Sequence, residues 1–387
     1  MVQVIFWSAV GLIVYTYILF PLLTLVRGLL WRTSVQSANI TPRVSLIIAA
    51  YNEAKGIGAK LDNVLALTYP RTQLEVIVAS DGSTDGTDDI VRTYAEHGIR
   101  LLSLPRAGKA PALNTAVAAA SGEILVFSDA NSIYAPDAIQ ALARPFADPQ
   151  VGGVAGNQVY LKQKRGSGAG AGEHSYWNFD RKLKQLQSQA GNTISATGAI
   201  YAIRRSLFQP APGGVTDDFT ISTGVIAQGT RLVFAPDAIA YEPVAASGGK
   251  EFGRKVRIIS RGLQAVLLRR ELLNPFRYGF YALQLFSHKV LRRLVVIPLL
   301  LVLVTSPLLW QQGIFYQLVT VAQVLFYGCA LLGFWLNETR WGRLKFFSLP
   351  YFFSAVNLAA LMATVNLVRG HRIERWETQR QEAAKSI

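Results

Sequence analysis

Asp217 and Asp218 stand side by side after Thr216 and before an apolar stretch, and one of them can act as a base. A carboxylate beside an acceptor hydroxyl takes its proton as that oxygen attacks; a carboxylate that merely caps a helix start looks the same in sequence. Three more polar groups each follow an apolar run. Tyr51–Asn52–Glu53 follows Val44–Ala50, Ser80–Asp81–Gly82–Ser83 follows Glu75–Ala79, and Asp129–Ala130–Asn131 follows Glu123–Phe127. The last group offers two oxygen ligands on one face of an extended segment, a set that suits Mg2+ or Mn2+ bridging a diphosphate. Gly108–Lys109 opens an Ala-rich helical stretch, where a lysine and free backbone N–H groups together hold phosphate. A solvated lysine and an Asp-Gly-Ser-Thr-Asp turn are the plainer readings of single signals. Taken in order, they provide for a leaving diphosphate, a cation and a base.

These residues need elements that bring them together. Val44–Ala50, Glu75–Ala79, Ile99–Leu104 and Glu123–Phe127 read as strands, with helical patterns over Ala54–Leu67, Gly86–His97 and Ala110–Ala120 between them. Such alternation predicts a parallel sheet covered by helices on both faces. Ligands of these sheets bind beyond the carboxyl ends of the strands, where the polar groups fall. Further on, Arg165–Gly172 reads as a mobile Gly-rich loop without a phosphate role, Glu173–Gln189 as a helix and Ala196–Ile203 as a strand.

The composition adds a second environment. Of 387 residues, 51% are hydrophobic and 16% charged, and three blocks carry no charge: Met1–Val26, Leu294–Asn337 and Phe346–Val368. A hydrocarbon core ~30 Å thick takes about 20 apolar helical residues, so the blocks predict one, two and one spans. A cleaved signal peptide does not fit the first, which lacks a basic leading region. The expected division is a span in 1–32, a soluble domain in 33–249, basic amphipathic interface helices in 250–293, further spans in 294–369 and a basic tail in 370–387. Phe252, Val256, Ile259, Leu263 and Val266 form the apolar stripe of the basic region, which reads as a helix lying in the membrane interface. The net charge of +15 suits anionic lipids and phosphorylated substrates. Its concentration beside the spans argues against nucleic acid. Cys329 is the single cysteine, so no disulfide or cysteine-based zinc site forms, and the four histidines show no ligand spacing.

In its motifs the chain resembles the membrane family-2 glycosyltransferases, the group of bacterial cellulose, hyaluronan and poly-N-acetylglucosamine synthases. The resemblance runs through Ala50–Glu53, Asp81–Asp85, Gly108–Lys109, Ala112–Asn114, Asp129–Asn131, Thr197–Ala199 and Thr216–Asp218. It implies an α/β GT-A fold, a Rossmann-like nucleotide-sugar domain with N- and C-terminal transmembrane helices, lying in a bacterial inner membrane with the catalytic domain cytoplasmic. It also implies donor contacts from Tyr51, Glu53, Asp81, Lys109, Gly198, Ala199 and Asp217. Asp129 and Asn131 would hold Mg2+ or Mn2+, and Asp218 would be the catalytic base of an inverting transfer. The partners implied are a nucleotide-sugar, UDP-linked, a polysaccharide or lipid-linked acceptor, and membrane lipids. Three departures stand out. Asn131 replaces the family's second metal Asp, Asp217 stands where the family has Glu before the base, and the Gln-x-x-Arg-Trp motif of processive synthases is missing, with Arg257–Gly262 in its expected region.

Overall fold

The computed structural model describes residues 1–161, 181–243, 248–337, 339–342 and 344–370. The Gly-rich loop Arg165–Gly172 and the tail from residue 371 lie outside the described residues, as does the first part of the helix expected over Glu173–Gln189; residues 181–189 are helical. The described chain divides into a helical unit (1–30, 181–186 and 248–370) and a sheet unit (31–161 and 187–243), each packed mainly upon itself. The soluble stretch expected over 33–249 is therefore interrupted, since residues 181–186 belong with the helices.

The sheet unit is built on β1 (Val44–Ala50), β2 (Leu74–Asp81), β3 (Ile99–Leu104) and β4 (Ile124–Asp129). All seven residues of β1 are buried, because it is paired in parallel on both edges, Val44 with Leu74 and with Ile124. A strand so enclosed reads as a continuous apolar run. Helices α1 (Ile57–Leu65), α2 (Thr87–Arg92) and α3 (Lys109–Ala119) connect these strands. The core between the layers includes Leu46, Ile48, Leu61, Val64, Val78 and Val126.

The second half of the sheet departs from the parallel pattern. With β5 (Ile133–Tyr134), β6 (Val151–Leu161), β7 (Tyr201–Arg204) and β8 (Arg231–Pro243), the order is β3-β2-β1-β4-β7-β6-β8-β5. β7 runs antiparallel to both β4 and β6, β5 runs antiparallel to β8, and β6 and β8 pair in parallel. Helices α4 (Ala138–Ala143) and α5 (Asp217–Ala227) complete the unit. The strand expected over Ala196–Ile203 shrinks to β7, and residues 196–200 form an irregular segment closed by a Thr197–Ile200 bridge.

In the helical unit, Val2–Leu30, Ile314–Trp335 and Lys345–Val368 are long and apolar enough to cross a membrane. Phe280–Leu294 and Val296–Leu308, bent by 48° at their junction, would count as a fourth span if taken together. The basic helix Gly248–Leu268 buries Val256, Leu263 and Val266. Its neighbour is Lys345–Val368, with the Lys255 ammonium 5.1 Å from the Phe352 ring. The apolar stripe thus has a partner within its own chain, and the sequence had offered only the membrane interface or another protein.

Candidate active site

The ends of β1, β2 and β4 lie next to one another, since Ala50 pairs with Ser80 and Ala49 with Asp129. The loops that follow are stitched together by the polar residues of the first two motifs. Asn52, at φ 52°, accepts from the Thr84 N–H at 2.8 Å and donates its own N–H to Ser83 Oγ at 3.1 Å. The Glu53 N–H donates to Thr87 Oγ1 at 2.9 Å, and that of Ala54 to Asp85 Oδ2 at 3.0 Å. Asp85 also accepts from the Thr87 N–H at the start of α2, so the helix-start reading of this stretch holds alongside a positioning role.

Asp81 is 1% exposed. It accepts from the N–H groups of Ala107 at 2.7 Å and Gly108 at 2.9 Å, and it pairs with the Arg106 guanidinium. Arg106 in turn lies over the Tyr51 ring, 3.4 Å from its centroid. Tyr51 and Asp81, two of the expected donor contacts, are thus joined by a cation that the sequence alone did not single out. An arginine in a loop gives no pattern of its own; the signal lies in the Pro-Arg-Ala-Gly-Lys setting before α3.

Lys109 is not solvated. Its side chain is 17% exposed, with Nζ 2.6 Å from Asp129 Oδ1 and 3.2 Å from Asp217 Oδ2. Burial pulls its pKa down, but the charges of Asp129, Asp217 and Asp218 outweigh that and hold it well above the ordinary lysine value. Gly198 rests on this ion pair. A Cβ there would lie 3.0 Å from Asp129 Oδ2 and 3.2 Å from Lys109 Nζ, tighter than nearly all real contacts. Ala199 is different: it is 1% exposed, sits in the core, and its carbonyl accepts from Tyr134 Oη at 3.3 Å. The residue expected at the sugar–acceptor junction is thus buried in the core.

Asp217 and Asp218 occupy the first turn of α5 after Thr216, where negative charge favours the helix. Asp218 Oδ1 accepts from the Phe219 N–H at 2.8 Å. Asn114, in α3, holds the approach to this turn by exchanging two hydrogen bonds with the backbone of Ala211. Three buried polar atoms of this region, Thr197 Oγ1, Tyr201 Oη and Thr216 Oγ1, have no hydrogen-bond partner among the described residues. Buried polar groups are rarely left so, and such atoms at a site await a ligand or water. The Tyr201 hydroxyl is pushed well above its ordinary pKa by burial, reinforced by Asp217 and Asp218.

Asp129 ends β4, and Ala130–Asn131 form a turn and not the extended continuation expected, closed by the Ser132 N–H donating to the Asp129 carbonyl. The two side chains therefore do not share a strand face. The turn is clasped from below by Lys60, which is fully buried, donates to the Ser132 carbonyl at 2.5 Å and lies 3.8 Å from the Tyr134 ring centroid. One helical turn on, Asn63 exchanges hydrogen bonds with the backbone of Tyr134. Glu242 closes the far side by accepting from Ser132 Oγ at 2.7 Å and Gln158 at 2.6 Å. Lys60 and Glu242 are not legible in the sequence because a single charge in an amphipathic helix or strand looks solvated.

As a donor set for a cation, the residues present are hard oxygens. Asp129 keeps Oδ2 beyond the Lys109 contact and Asp217 Oδ2 lies 3.2 Å from Lys109 Nζ, while no group of three or more His, Cys, Asp or Glu side chains gathers for a metal among the described residues. This chemistry fits Mg2+ or Mn2+.

Residues 45–210 match the family model for glycosyl transferase family 2. Over 233 residues the chain is 28% identical to a poly-beta-1,6-N-acetyl-D-glucosamine synthase of Staphylococcus aureus (strain COL) and 27% identical to one of Staphylococcus epidermidis. Each match takes in 58% of this chain and 56% of the relative, so the chain spans little more than half the length of these relatives. Among solved structures it is similar to a mannosyltransferase from Pyrobaculum calidifontis in complex with GDP-Man and Mn2+. That match has a TM-score of 0.66 and 26% identity, and covers 93% of this chain and 99% of the other.

Proposed function

We propose that the chain, whose residues 45–210 match the model of glycosyl transferase family 2, is a family-2 glycosyltransferase that transfers the sugar of a nucleotide-sugar, with inversion, onto a growing glycan at a membrane. The observation that carries the reading is the position of Lys109, whose Nζ lies 2.6 Å from Asp129 and 3.2 Å from Asp217, with Gly198 against the pair. Four separated motifs meet at one point, where a diphosphate needs positive charge and an acceptor needs a base.

In this mechanism Tyr51 and Asp81 take the base, with Glu53 beside them on the same loop. Lys109 meets the diphosphate, and Gly198 leaves room for the sugar. Asp218 takes the proton of the acceptor hydroxyl while that oxygen bonds to the anomeric carbon. The bond from that carbon to the diphosphate oxygen breaks, and the electron pair leaves with the nucleotide. Asp217 holds Lys109 in place. Asp129 with Asn131 would hold Mg2+ or Mn2+, which supplies further positive charge for the departing diphosphate when bound. The reaction needs no covalent intermediate; positioning and electrostatics suffice.

Two features support a growing glycan as acceptor. The staphylococcal relatives are synthases of a polymer, and the helical unit holds more apolar helices than anchoring requires. A second reading, transfer of one sugar to a lipid-linked acceptor, is favoured by the missing Gln-x-x-Arg-Trp motif and by the near full-length match to a mannosyltransferase. The donor nucleotide divides similarly. UDP is the expectation, and the Pyrobaculum mannosyltransferase is solved in complex with GDP-Man.

Asp218→Asn tests the base. The amide fills the same space without accepting a proton, so donor binding persists while turnover falls about 10²–10⁴-fold. Near-normal turnover moves the base elsewhere, with Asp217 next. Sizing the labelled product from UDP- and GDP-sugars separates polymer from a single-sugar lipid.

A further inference from the structure

A buried phenol stands near the carboxylates of the site with no role in the transfer so far. We propose that it is a positioning residue: the Tyr201 hydroxyl takes over Asp217 when an arriving diphosphate draws Lys109 away. Tyr201 is 1% exposed, and its Oη has no hydrogen-bond partner among the described residues. A buried hydroxyl left unpaired costs stability, so its presence calls for a state in which the bond is made.

The sheet aims the phenol. Tyr201 pairs directly with Phe127 across the antiparallel ladder of β4 and β7, and the two rings stack with centroids 4.7 Å apart and planes 12° apart. Phe208 stacks on Phe127 in turn, at 6.3 Å. Side chains along a strand alternate between its faces. Asp129, two residues beyond Phe127 in β4, therefore projects from the same face as the Tyr201 ring. Helix α5, which carries Asp217 and Asp218 in its first turn, packs against β7. Burial raises the pKa of the phenol, and the charges of Asp217, Asp218 and Asp129 raise it further, Asp217 foremost among them. The hydroxyl thus keeps its proton and is a donor with acceptors nearby.

Asp217 has a replaceable partner. In the donor-free site Lys109 Nζ lies 2.6 Å from Asp129 and 3.2 Å from Asp217, so the Asp217 contact is the looser of the two. A diphosphate offers the same ammonium strong, charged acceptors, and its arrival releases the longer contact first. Asp217, with a side chain only 15% exposed, would then be a carboxylate stripped of its cation, which is strongly destabilising. The phenol O–H restores one charge-assisted hydrogen bond to it. The exchange moves no proton and breaks no covalent bond. Asp217 stays ionised at the start of α5, and the turn that carries Asp218 keeps its place. The inference rests on the reading that Lys109 meets the diphosphate.

The test is calorimetric titration of the full chain in detergent, with Mn2+ present, using UDP and GDP. Tyr201→Phe keeps the ring stack and removes only the hydroxyl. It weakens nucleotide binding about tenfold or more, as loss of a hydrogen bond to a charged group does. Because that bond is absent before the nucleotide arrives, the unfolding midpoint of nucleotide-free Tyr201→Phe equals or exceeds that of wild type. In an Asp217→Ala background the same substitution changes affinity by less than about twofold, since the hydroxyl then has nothing to take over. A lowered nucleotide-free midpoint would show the hydroxyl already bonded and overturn the exchange. An equal loss with and without Asp217 overturns it too. Wild-type affinity in Tyr201→Phe, alongside weak binding by Lys109→Met, overturns the inference alone. Wild-type affinity in Lys109→Met overturns the reading of the site, and the inference with it.

Discussion

Lys60 and Lys109 are both lysines removed from water, and their surroundings drive them in opposite directions. Lys109 has carboxylates within ion-pairing distance and stays charged. Lys60 has a carbonyl and an aromatic face, and burial lowers its pKa to about 7 despite Asp129 and Glu242. The unfolded chain holds that proton up to the ordinary lysine value of 10.5. Between about 7 and 10.5 the unfolded state binds more protons than the folded one, so stability rises with pH across that window. Lys60→Met has no such dependence. The unfolding free energy of wild type relative to Lys60→Met should therefore increase from about pH 7 to about pH 10, by on the order of a few kcal/mol. Denaturant unfolding of detergent-solubilised protein at several pH values measures it, and a flat difference sinks the account.

At the scale of elements, the parallel half of the sheet was legible and the mixed half was not. β1 to β4 appeared in sequence within a few residues of their ends, because strands buried on both faces are plain apolar runs. β6 begins Val151–Gly152–Gly153, and glycines in a strand read as breakers. They are there because backbone approaches side chains closely: a Cβ on Gly152 would lie 2.0 Å from Thr230 Oγ1. The motif residues were found by type and order, but Arg106, Lys60, Tyr201 and Glu242 were not, since their roles arise only when distant elements pack. Asp129–Asn131 misled in a further way: the motif was recognised, but the turn that Ser132 and Lys60 impose on it was not. The segment between α3 and β7 carries its own prediction. Gly198→Ala presses a methyl group onto Asp129 and Lys109 and should displace them by a few tenths of an ångström. Turnover should then fall roughly 10²-fold, as small misplacements at reacting centres do, while the unfolding midpoint changes little. Unaltered turnover would show that the ion pair is not at the reacting centre.

For the whole molecule, the arrangement of apolar helices fixes which parts of the chain share a side of the membrane. If Val2–Leu30, the bent pair Phe280–Leu308, Ile314–Trp335 and Lys345–Val368 each cross once, Met1 and the basic tail both lie opposite the sheet unit. That placement opposes the positive-inside tendency for the tail. With Cys329, the single native cysteine, replaced by serine, a cysteine placed after Gly370 should react with an impermeant reagent in intact cells. Protection there would mean that the bent pair is re-entrant and does not cross.

The ion pair at Lys109 has one more consequence, which concerns binding equilibria. Before any donor arrives, the ammonium that should greet the diphosphate is already neutralised by Asp129 and Asp217. A donor bringing about two negative charges thus meets a cluster of one ammonium and two carboxylates, itself net negative, and it needs a second positive charge to enter with it. By reciprocity, whatever factor a divalent cation adds to donor affinity, the donor must add to cation affinity. Mn2+ should therefore bind the donor-free protein weakly and the nucleotide-bound protein at least tenfold more tightly, and EDTA should abolish turnover until Mn2+ is restored. Calorimetric titration of Mn2+ with and without nucleoside diphosphate reads the coupling directly, after correction for Mn2+ binding to the free nucleotide. Equal affinities in both states would mean that the cluster treats the two as strangers.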